Sequence, residues 1–308
     1  MIKLYYLESL NGHNMSEKFV IQGGKKLAGT IEVRGSKNAA FAVLAATLLT
    51  TDECEVDIVP LISDVFMMLE VLQHMGVEYQ FIEERKIKIS ARELHPERIP
   101  KELVGAIRAS LLLCGPLIAR IPRFTMYTPG GCVIGARILS PHFKAFEQLG
   151  IMVREEENEV SFERMSASSD QIEIVLSEMS VTATENIVLA SVLQKGITRI
   201  YCVATEPHVQ DVCYMLNRMG AKISGIGTHT LTIQGVDVLH GVSHTIIPDV
   251  IEMGTYIALA AVTQSCLLIK NCIPEFMRFD ILKFQEAHVT LSVENRRIFP
   301  AGWGYMLS

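Results

Sequence analysis

The 308-residue sequence predicts an α/β fold built from repeated β-α-β-α-β-β units. Helices that end in glycine, at Gly76, Gly150 and Gly220, recur roughly every 70 residues. Each glycine is followed by a pair of short strands around a tight turn, for example at 82–87 and 154–160. A fixed period of this kind is typical of supersecondary units that must cover one another's apolar faces.

Within each unit the order is a strand, an apolar helix, a second strand, a second helix and the hairpin. The apolar stretches at 39–49, 111–119 and 256–262 are shorter than the ~18–20 residues of a membrane span, so they predict buried helices that are apolar on all sides. The shared pattern P-x-x-x-D predicts that Asp64 and Asp211 cap the second helices. A fourth unit starts near Val242, and His288 stands where its glycine would be expected.

Composition excludes several classes of function. The net charge of −6 disfavours a nucleic-acid-binding protein, which usually has a basic face. Seven cysteines, an odd number without C-x-x-C spacing, fit a reducing cytoplasm and no disulfide scaffold. No metal site is expected, because His240 and His244 flank Gly241 in a strand context and no other His or Cys cluster occurs.

The first candidate site is the loop at 129–137, where three glycines surround Cys132. Glycine lets the backbone approach a ligand closely. Arg137 could lower the pKa of the Cys132 thiol and bind an anion. The alternative is a glycine-rich connector with an incidental cysteine.

The second candidate is the segment 34–40, between a strand and a helix. Lys37 and Asn38 would lie at a helix N-terminus, where free N–H groups and the helix dipole favour anions. The alternative is a plain cap, in which Ser36 caps the N-terminus of the helix and Lys37 is solvated.

The third candidate is Arg108, at the start of an apolar helix in the sequence I-R-A-S. An arginine that enters such a stretch needs a partner or a ligand. The alternative is a surface arginine at the edge of the helix.

Together these motifs resemble the enolpyruvyl transferase superfamily, over residues 18 to about 283. The resemblance is carried by five segments, at 35–40, 107–110, 130–137, 180–186 and 248–255. The cysteine in the glycine-rich loop is similar to the UDP-N-acetylglucosamine branch, whereas the shikimate-phosphate branch lacks a cysteine there.

The resemblance implies an inside-out α/β barrel of two lobes, each made of three repeats around apolar helices. Residues 37–247 would form a complete lobe that carries the cysteine loop. Residues 1–36 and 248–308 would belong to a discontinuous second lobe. We expect that lobe to be incomplete, to leave an apolar side exposed and to limit the turnover of this chain.

The implied reaction transfers the enolpyruvyl group of phosphoenolpyruvate to the 3-hydroxyl of UDP-N-acetylglucosamine, the first committed step of peptidoglycan synthesis. Cys132 would act as general acid, and no metal or organic cofactor is implied. Lys37, Asn38, Arg108 and Arg137 would hold phosphate and carboxylate groups. The residues expected near the nucleotide-sugar are Arg137, Ile138, Leu139, Ser140, Pro141, His142, Ser180 and Val181. Two alternatives are a non-catalytic nucleotide-sugar-binding homologue and a 3-phosphoshikimate enolpyruvyl transferase; neither nucleic acid nor membrane is an expected partner.

The chain departs from the superfamily pattern at several places, among them Glu178 and Met179, where the family tends to carry a basic residue and valine. Ile138, Leu139 and Ser140 replace a P-x-D sequence after Arg137, so its acid is missing, and Thr182 replaces a glycine. The aspartate that serves as general base follows a P-T or P-S pair, and nothing in 299–308 matches it. If the base lies elsewhere in the chain, Asp249 and Glu252 are the first residues to test.

Overall fold

The computed structural model describes residues 2–6, 17–106, 108–128, 139–165 and 170–301. The α-helices in these ranges are α1 Lys37–Ala46, α2 Ser63–His74, α3 Lys101–Ala106, α4 Cys114–Arg120, α5 Ser140–Gln148, α6 Val181–Ser191, α7 Pro207–Arg218, α8 Val250–Val262 and α9 Arg278–Glu286. Short 3-10 helices cover Thr47–Leu49, Pro96–Arg98, Arg108–Leu113 and Pro274–Met277.

The strands in the same ranges are β1 Ile2–Tyr6, β2 Glu17–Ile21, β3 Ala28–Glu32, β4 Cys54–Asp57, β5 Glu78–Glu83, β6 Lys86–Ser90, β7 Arg123–Tyr127, β8 Ile151–Glu155, β9 Glu159–Arg164, β10 Gln171–Val175, β11 Ile197–Tyr201, β12 Lys222–Ser224, β13 Thr230–Gln234, β14 Ser243–Thr245, β15 Cys266–Lys270, β16 Thr290–Glu294 and β17 Arg297–Ala301. The chain divides into a larger unit, Arg34–Asp249, and a smaller unit made of Met1–Val33 and Val250–Ser308.

The predicted repeat is visible in the sheets. The larger unit contains the strand orders β14-β4-β6-β5, β7-β9-β8 and β10-β11-β13-β12, and the smaller unit contains β16-β17-β15-β3 and the pair β1-β2. In every repeat, the second strand of the hairpin pairs antiparallel with the strand that follows the first helix. In three sheets the strand that follows the first helix also has a parallel neighbour on its other side. These parallel pairs are β4 with β14, β11 with β10, and β15 with β3. The repeated α/β fold predicted from the glycine spacing is therefore confirmed.

The helix breaks have a common backbone conformation. Gly76, Gly150 and Gly220 have φ angles of 94°, 85° and 107°, in the left-handed region that glycine adopts without steric cost. His288 ends α9 with a φ of 60° at the equivalent place in the fourth repeat. The fourth repeat therefore keeps the left-handed backbone conformation at the end of its second helix, with histidine in place of glycine.

The core of the larger unit is built on helices that are buried on every side. The residues of α1 from Ala39 to Ala46 and those of α6 from Ala183 to Ser191 are all buried. Small alanine side chains in α1 allow close packing of its neighbours, while Leu44 and Leu48 fill the remaining volume. None of the helices in the described ranges combines the length and apolarity that a membrane crossing requires.

The expected aspartate caps of the second helices are wrong. Helix α2 begins at Ser63, so Asp64 is its second residue, and helix α7 begins at Pro207, so Asp211 is its fifth. Neither helix has a side-chain hydrogen bond at its cap. Asp64 binds Lys37 instead, and the buried Asp211 accepts a hydrogen bond from Nε2 of His244 at 3.2 Å. The same four-residue spacing therefore serves two different tertiary contacts.

Apolar side chains are less covered in the smaller unit. Ile251 and Val262 of α8 are 65% and 77% exposed, and Phe279 of α9 is 69% exposed. This agrees with the expected exposed apolar side of the fourth repeat. The buried core of this unit is correspondingly small and centres on Met253, Ile257 and Ile269.

Candidate functional site

The start of helix α1 is held in place by backbone contacts. Gly35 forms a β-bridge with Pro248, and its Cα lies so close to the carbonyl oxygen of Ile58 that a side chain would collide with it. Ser36 is the N-cap, and its Oγ accepts a hydrogen bond from the Ala39 amide at 3.4 Å. The plain-cap interpretation is thus correct for Ser36. The glycine and the cap together fix where Lys37 begins the helix.

Lys37 has two acidic neighbours at this helix start. Its amide donates to Oδ2 of Asp249 at 3.3 Å, and its Nζ lies 3.1 Å from Oδ2 of Asp64. The side chains of Lys37 and Asp64 are 44% and 41% exposed, and an ion pair so exposed contributes at most about 1 kcal/mol. An anionic ligand could therefore replace Asp64 as the partner of Lys37 at little cost. Asn38 follows as a half-buried residue of the same turn.

Arg108 opens a 3-10 helix that runs directly into α4, and not the single α-helix expected from the sequence. Pro116 explains the division, because a proline cannot donate its backbone nitrogen and is tolerated only in the first turn of an α-helix. The 3-10 helix packs against both α1 and α6. Arg108 is half-buried, and its positive charge acts on His142 of α5. The structure therefore brings Arg108 and His142 together.

His142 is almost completely buried, with 2% of its surface exposed. Its Nε2 lies 3.1 Å from Oγ1 of Thr182, and its Nδ1 lies 3.1 Å from Nδ2 of Asn186. Burial, with a smaller contribution from the Arg108 charge, lowers the pKa of His142 to about 4. The imidazole is therefore neutral near pH 7 and both of its nitrogens are engaged within the protein.

Asn186 joins α6 to the segment that contains Arg108. Its Oδ1 accepts a hydrogen bond from the Gly115 amide at 2.9 Å, and its Nδ2 donates to the carbonyl oxygen of Leu111 at 2.9 Å. Gly115 allows this close approach, because a Cβ there would lie 2.5 Å from the backbone oxygen of Asn186. The side-chain amide thus satisfies buried backbone groups of a neighbouring element.

Helix α6 begins at the predicted contact residues Ser180 and Val181. Ser180 is the N-cap, and its Oγ accepts from the Ala183 amide at 3.4 Å. Its carbonyl oxygen accepts from Oγ1 of Thr184 at 2.8 Å. The first amides of a helix have no acceptor within the helix, so this turn is suited to an anionic group.

The remaining predicted site residues divide into two groups. Cys132, Arg137 and Ile138 lie outside the described residues. Leu139 and Ser140 are half-buried at the start of α5, and Pro141 is buried in its first turn. The described candidates thus cluster at the starts of α1, α5 and α6 and of the Arg108 segment, all within the larger unit.

Sequence reasoning missed two ionisable groups near these helix starts, the buried Glu185 and the half-buried His208. Burial, with repulsion from Glu206, raises the pKa of Glu185 well above its usual value, and its Oε1 has no hydrogen-bond partner among the described residues. Burial lowers the pKa of His208, while the carboxylates of Glu206, Asp249 and Asp211 oppose that shift. Glu185 was visible in the T-E-N segment, but nothing in the sequence indicated that it would be buried with a raised pKa.

The described thiols differ in their burial and therefore in their pKa. Burial raises the pKa of Cys54 and Cys114, and it raises the pKa of Cys213 to about 12 and that of Cys272 to about 11. Cys266 differs from these four, because it is exposed at the start of β15.

We predict that Cys132 is the most reactive thiol, followed by Cys266. A glycine-rich loop with a nearby arginine favours the thiolate, whereas the buried thiols remain protonated. Limited alkylation with a maleimide and peptide mass mapping will measure the order. The Cys266→Ser variant is the control and should keep the fast phase, which Cys132→Ser should lose. Faster labelling of Cys114 or Cys213 than of Cys132 would contradict the prediction.

Among the residues with described positions, no group of three or more His, Cys, Asp or Glu side chains is placed to hold a metal ion. The described helix starts present cationic side chains, backbone amides and neutral polar groups, together with the carboxylates of Asp64 and Asp249 at the start of α1. The cationic side chains and the amides suit the binding of phosphate and carboxylate oxygens.

Solved structures identify the fold class. An enolpyruvyl transferase from Streptomyces tendae, NikO, superimposes with a TM-score of 0.79 at 20% identity, covering 92% of this chain and 67% of that protein. EPSP synthase from Acinetobacter baumannii gives a TM-score of 0.68 at 19% identity, covering 91% of this chain and 66% of that one. The fold is thus the mixed α/β fold of enolpyruvyl transferases, as the resemblance implied.

The sequence comparisons give the family. Residues 21–300 match the model of the family described as EPSP synthase (3-phosphoshikimate 1-carboxyvinyltransferase). The chain is 39% identical over 296 residues to UDP-N-acetylglucosamine 1-carboxyvinyltransferase of Hydrogenovibrio crunogenus, covering 92% of this chain and 70% of the relative. It is 44% identical over 261 residues to the protein of that name from Treponema denticola, covering 85% of this chain and 61% of the relative. The chain therefore belongs to the EPSP synthase family of enolpyruvyl transferases, as the motifs suggested.

Proposed function

We propose that this chain acts in the transfer of an enolpyruvyl group from phosphoenolpyruvate to the 3-hydroxyl of UDP-N-acetylglucosamine. The observation that carries the proposal is the 39–44% identity to UDP-N-acetylglucosamine 1-carboxyvinyltransferases, over 85–92% of this chain. The glycine-flanked Cys132 supports the same acceptor over shikimate 3-phosphate. On this proposal the protein works in the cytoplasm at the first committed step of peptidoglycan synthesis, in cell-wall formation.

The described residues have defined roles in this proposal. Lys37, at the start of α1, binds an oxygen of the phosphate or carboxylate in place of Asp64. Arg108 contributes positive charge beside the start of α6. The Ser180–Val181 turn contacts the nucleotide-sugar with the Val181 amide as donor, because the Ser180 amide already donates to the carbonyl oxygen of Glu178. Fixed donors of this kind stabilise charge that develops as the reaction proceeds.

The chemical step is an addition followed by an elimination. The 3-hydroxyl oxygen of the sugar bonds to C2 of phosphoenolpyruvate, while the Cys132 thiol protonates the methylene carbon C3 and a base accepts the hydroxyl proton. The tetrahedral product then loses a proton from C3, and the bond from C2 to the phosphate oxygen breaks to release inorganic phosphate. The proposed role of Cys132 also makes it the target of fosfomycin-type epoxides.

Phosphate release with alternative acceptors tests the proposal. Incubation with phosphoenolpyruvate and UDP-N-acetylglucosamine should release phosphate above the background, and replacing the amino sugar with shikimate 3-phosphate should abolish the release. Release that requires shikimate 3-phosphate would contradict the proposed acceptor. Binding of UDP-N-acetylglucosamine without any release would contradict the transfer step and identify a nucleotide-sugar-binding protein.

A further inference from the structure

We propose that Thr182 and His142 form a clamp that positions the Ser180–Val181 turn for the nucleotide-sugar. The inference rests on the proposed function, since it assigns the ligand of that turn. The clamp is one hydrogen bond between two helix starts: His142 is the third residue of α5, and Thr182 is the second residue of α6. In this role both are positioning residues, which act on the ligand only through the turn.

The direction of the hydrogen bond follows from the neighbours of His142. The Gly115 amide can only donate, so the atom of Asn186 that it contacts is the oxygen Oδ1. The other atom of the amide is therefore Nδ2, which donates to Leu111 and to Nδ1 of His142. Because Nδ1 accepts, the proton of the neutral ring is on Nε2. That proton is donated to Oγ1 of Thr182 over 3.1 Å.

The surroundings keep the ring in this form. A proton on Nδ1 would face the N–H of Asn186, so the doubly protonated ring would lose the Asn186 contact. Burial and the positive charge of Arg108 also disfavour protonation. Oγ1 of Thr182 is therefore always the acceptor of this hydrogen bond, and the N–H at Nε2 of His142 is always its donor. A glycine at this position, as in the superfamily pattern, would supply no such acceptor.

The hydrogen bond of the clamp joins the starts of α5 and α6, which both carry or adjoin residues of the proposed site. Helix α5 follows directly after the segment 129–138 that contains Cys132. Helix α6 begins with the turn proposed to bind the nucleotide-sugar. The threonine is β-branched and has few rotamers in a helix, so the hydrogen bond restrains the first turn of α6 at small entropic cost. Loss of the hydroxyl should loosen this turn while the helix itself remains folded.

Three variants separate the clamp from a general effect on packing. Thr182→Val keeps the shape of the side chain and removes the hydroxyl, whereas Thr182→Ser retains it. Ser191→Ala is the matched control, because Ser191 is a buried residue of the same helix whose Oγ donates to the Ile187 carbonyl oxygen. The affinity for UDP-N-acetylglucosamine is measured by isothermal titration. We expect Thr182→Val to weaken binding about tenfold, which corresponds to the loss of one hydrogen bond. Thr182→Ser and Ser191→Ala should bind as the unaltered chain does.

The NMR spectrum of the His142 ring tests the pairing without any ligand. The unaltered chain should show a protonated Nε2, an unprotonated Nδ1 and a slowly exchanging Nε2 proton. That proton should exchange faster in Thr182→Val and remain slow in Thr182→Ser. A proton on Nδ1 in the unaltered chain, or unweakened binding by Thr182→Val, would overturn the clamp. Failure of the unaltered chain to bind UDP-N-acetylglucosamine would contradict the proposed function, and an unchanged Nε2 exchange rate in Thr182→Val would then overturn the hydrogen bond itself.

Discussion

The Lys37→Ala variant is expected to lower kcat/KM for phosphoenolpyruvate by about 10²–10³, the usual cost of removing one fixed group that stabilises developing charge. The structure places Lys37 as the first residue of a buried helix, with its Nζ half-exposed and held by Asp64. Because that ion pair contributes at most about 1 kcal/mol, the free energy of unfolding should hardly change. Steady-state kinetics with both substrates, combined with urea denaturation, will separate the two quantities.

The control for Lys37 is Lys195→Ala, which removes an equal charge from an exposed turn between α6 and β11. It should leave both kcat/KM and the free energy of unfolding unchanged. Unchanged kinetics in Lys37→Ala would remove Lys37 from the site. A loss of stability of about 3 kcal/mol or more would instead indicate a structural role, since it exceeds what an exposed ion pair supplies.

The Asn186→Ala variant is expected to reduce the free energy of unfolding by about 3–5 kcal/mol. The substitution leaves the Gly115 amide, the Leu111 carbonyl oxygen and Nδ1 of His142 without their partner. Each buried polar group that loses its hydrogen bond costs about 1–3 kcal/mol. Because folded domains are stable by only about 5–15 kcal/mol, such a loss should be evident in urea denaturation followed by circular dichroism.

The control for Asn186 is Asn158→Ala, at an exposed position between β8 and β9. Its substitution should change the free energy of unfolding by no more than about 0.5 kcal/mol, as is usual for surface residues. A change of similar size in both variants would contradict the role assigned to Asn186. In that case the hydrogen bonds of the Asn186 amide would not be what joins α6 to α4.

The repeat could be predicted from the sequence because its signals are local. A helix that ends in a left-handed residue needs glycine or a tolerant substitute, and this requirement leaves a mark at Gly76, Gly150, Gly220 and His288. Helices buried on all sides likewise appear as uninterrupted apolar stretches. Both features depend on residues adjacent in the chain, so no knowledge of distant contacts was needed.

The errors arose where distant contacts decide the outcome. Asp64 and Asp211 have the same spacing from a proline, yet one meets Lys37 and the other meets His244. A local pattern can suggest a cap, but it does not reveal a partner that lies more than twenty residues away. The division of the Arg108 helix has a local cause, because Pro116 lies in the first turn of α4 and cannot occupy the interior of a longer α-helix.

The motifs selected residues that lie at neighbouring helix starts, but they did not reveal the surroundings of each side chain. Lys37, Arg108, His142 and Ser180 were all selected from the sequence, and each lies at or near a helix start in the larger unit. His142 remains a residue expected near the nucleotide-sugar, and the structure adds that it is buried against Asn186 and Thr182. A residue that contacts a ligand and a residue that holds such a contact residue in place can give the same sequence motif. The sequence alone therefore does not separate the two roles.

Isothermal titration with the two competing acceptors tests the central claim most directly. The account predicts saturable binding of UDP-N-acetylglucosamine to the unaltered chain, weakened in Thr182→Val, and no detectable binding of shikimate 3-phosphate. Saturable binding of shikimate 3-phosphate, with no heat from UDP-N-acetylglucosamine, would contradict it.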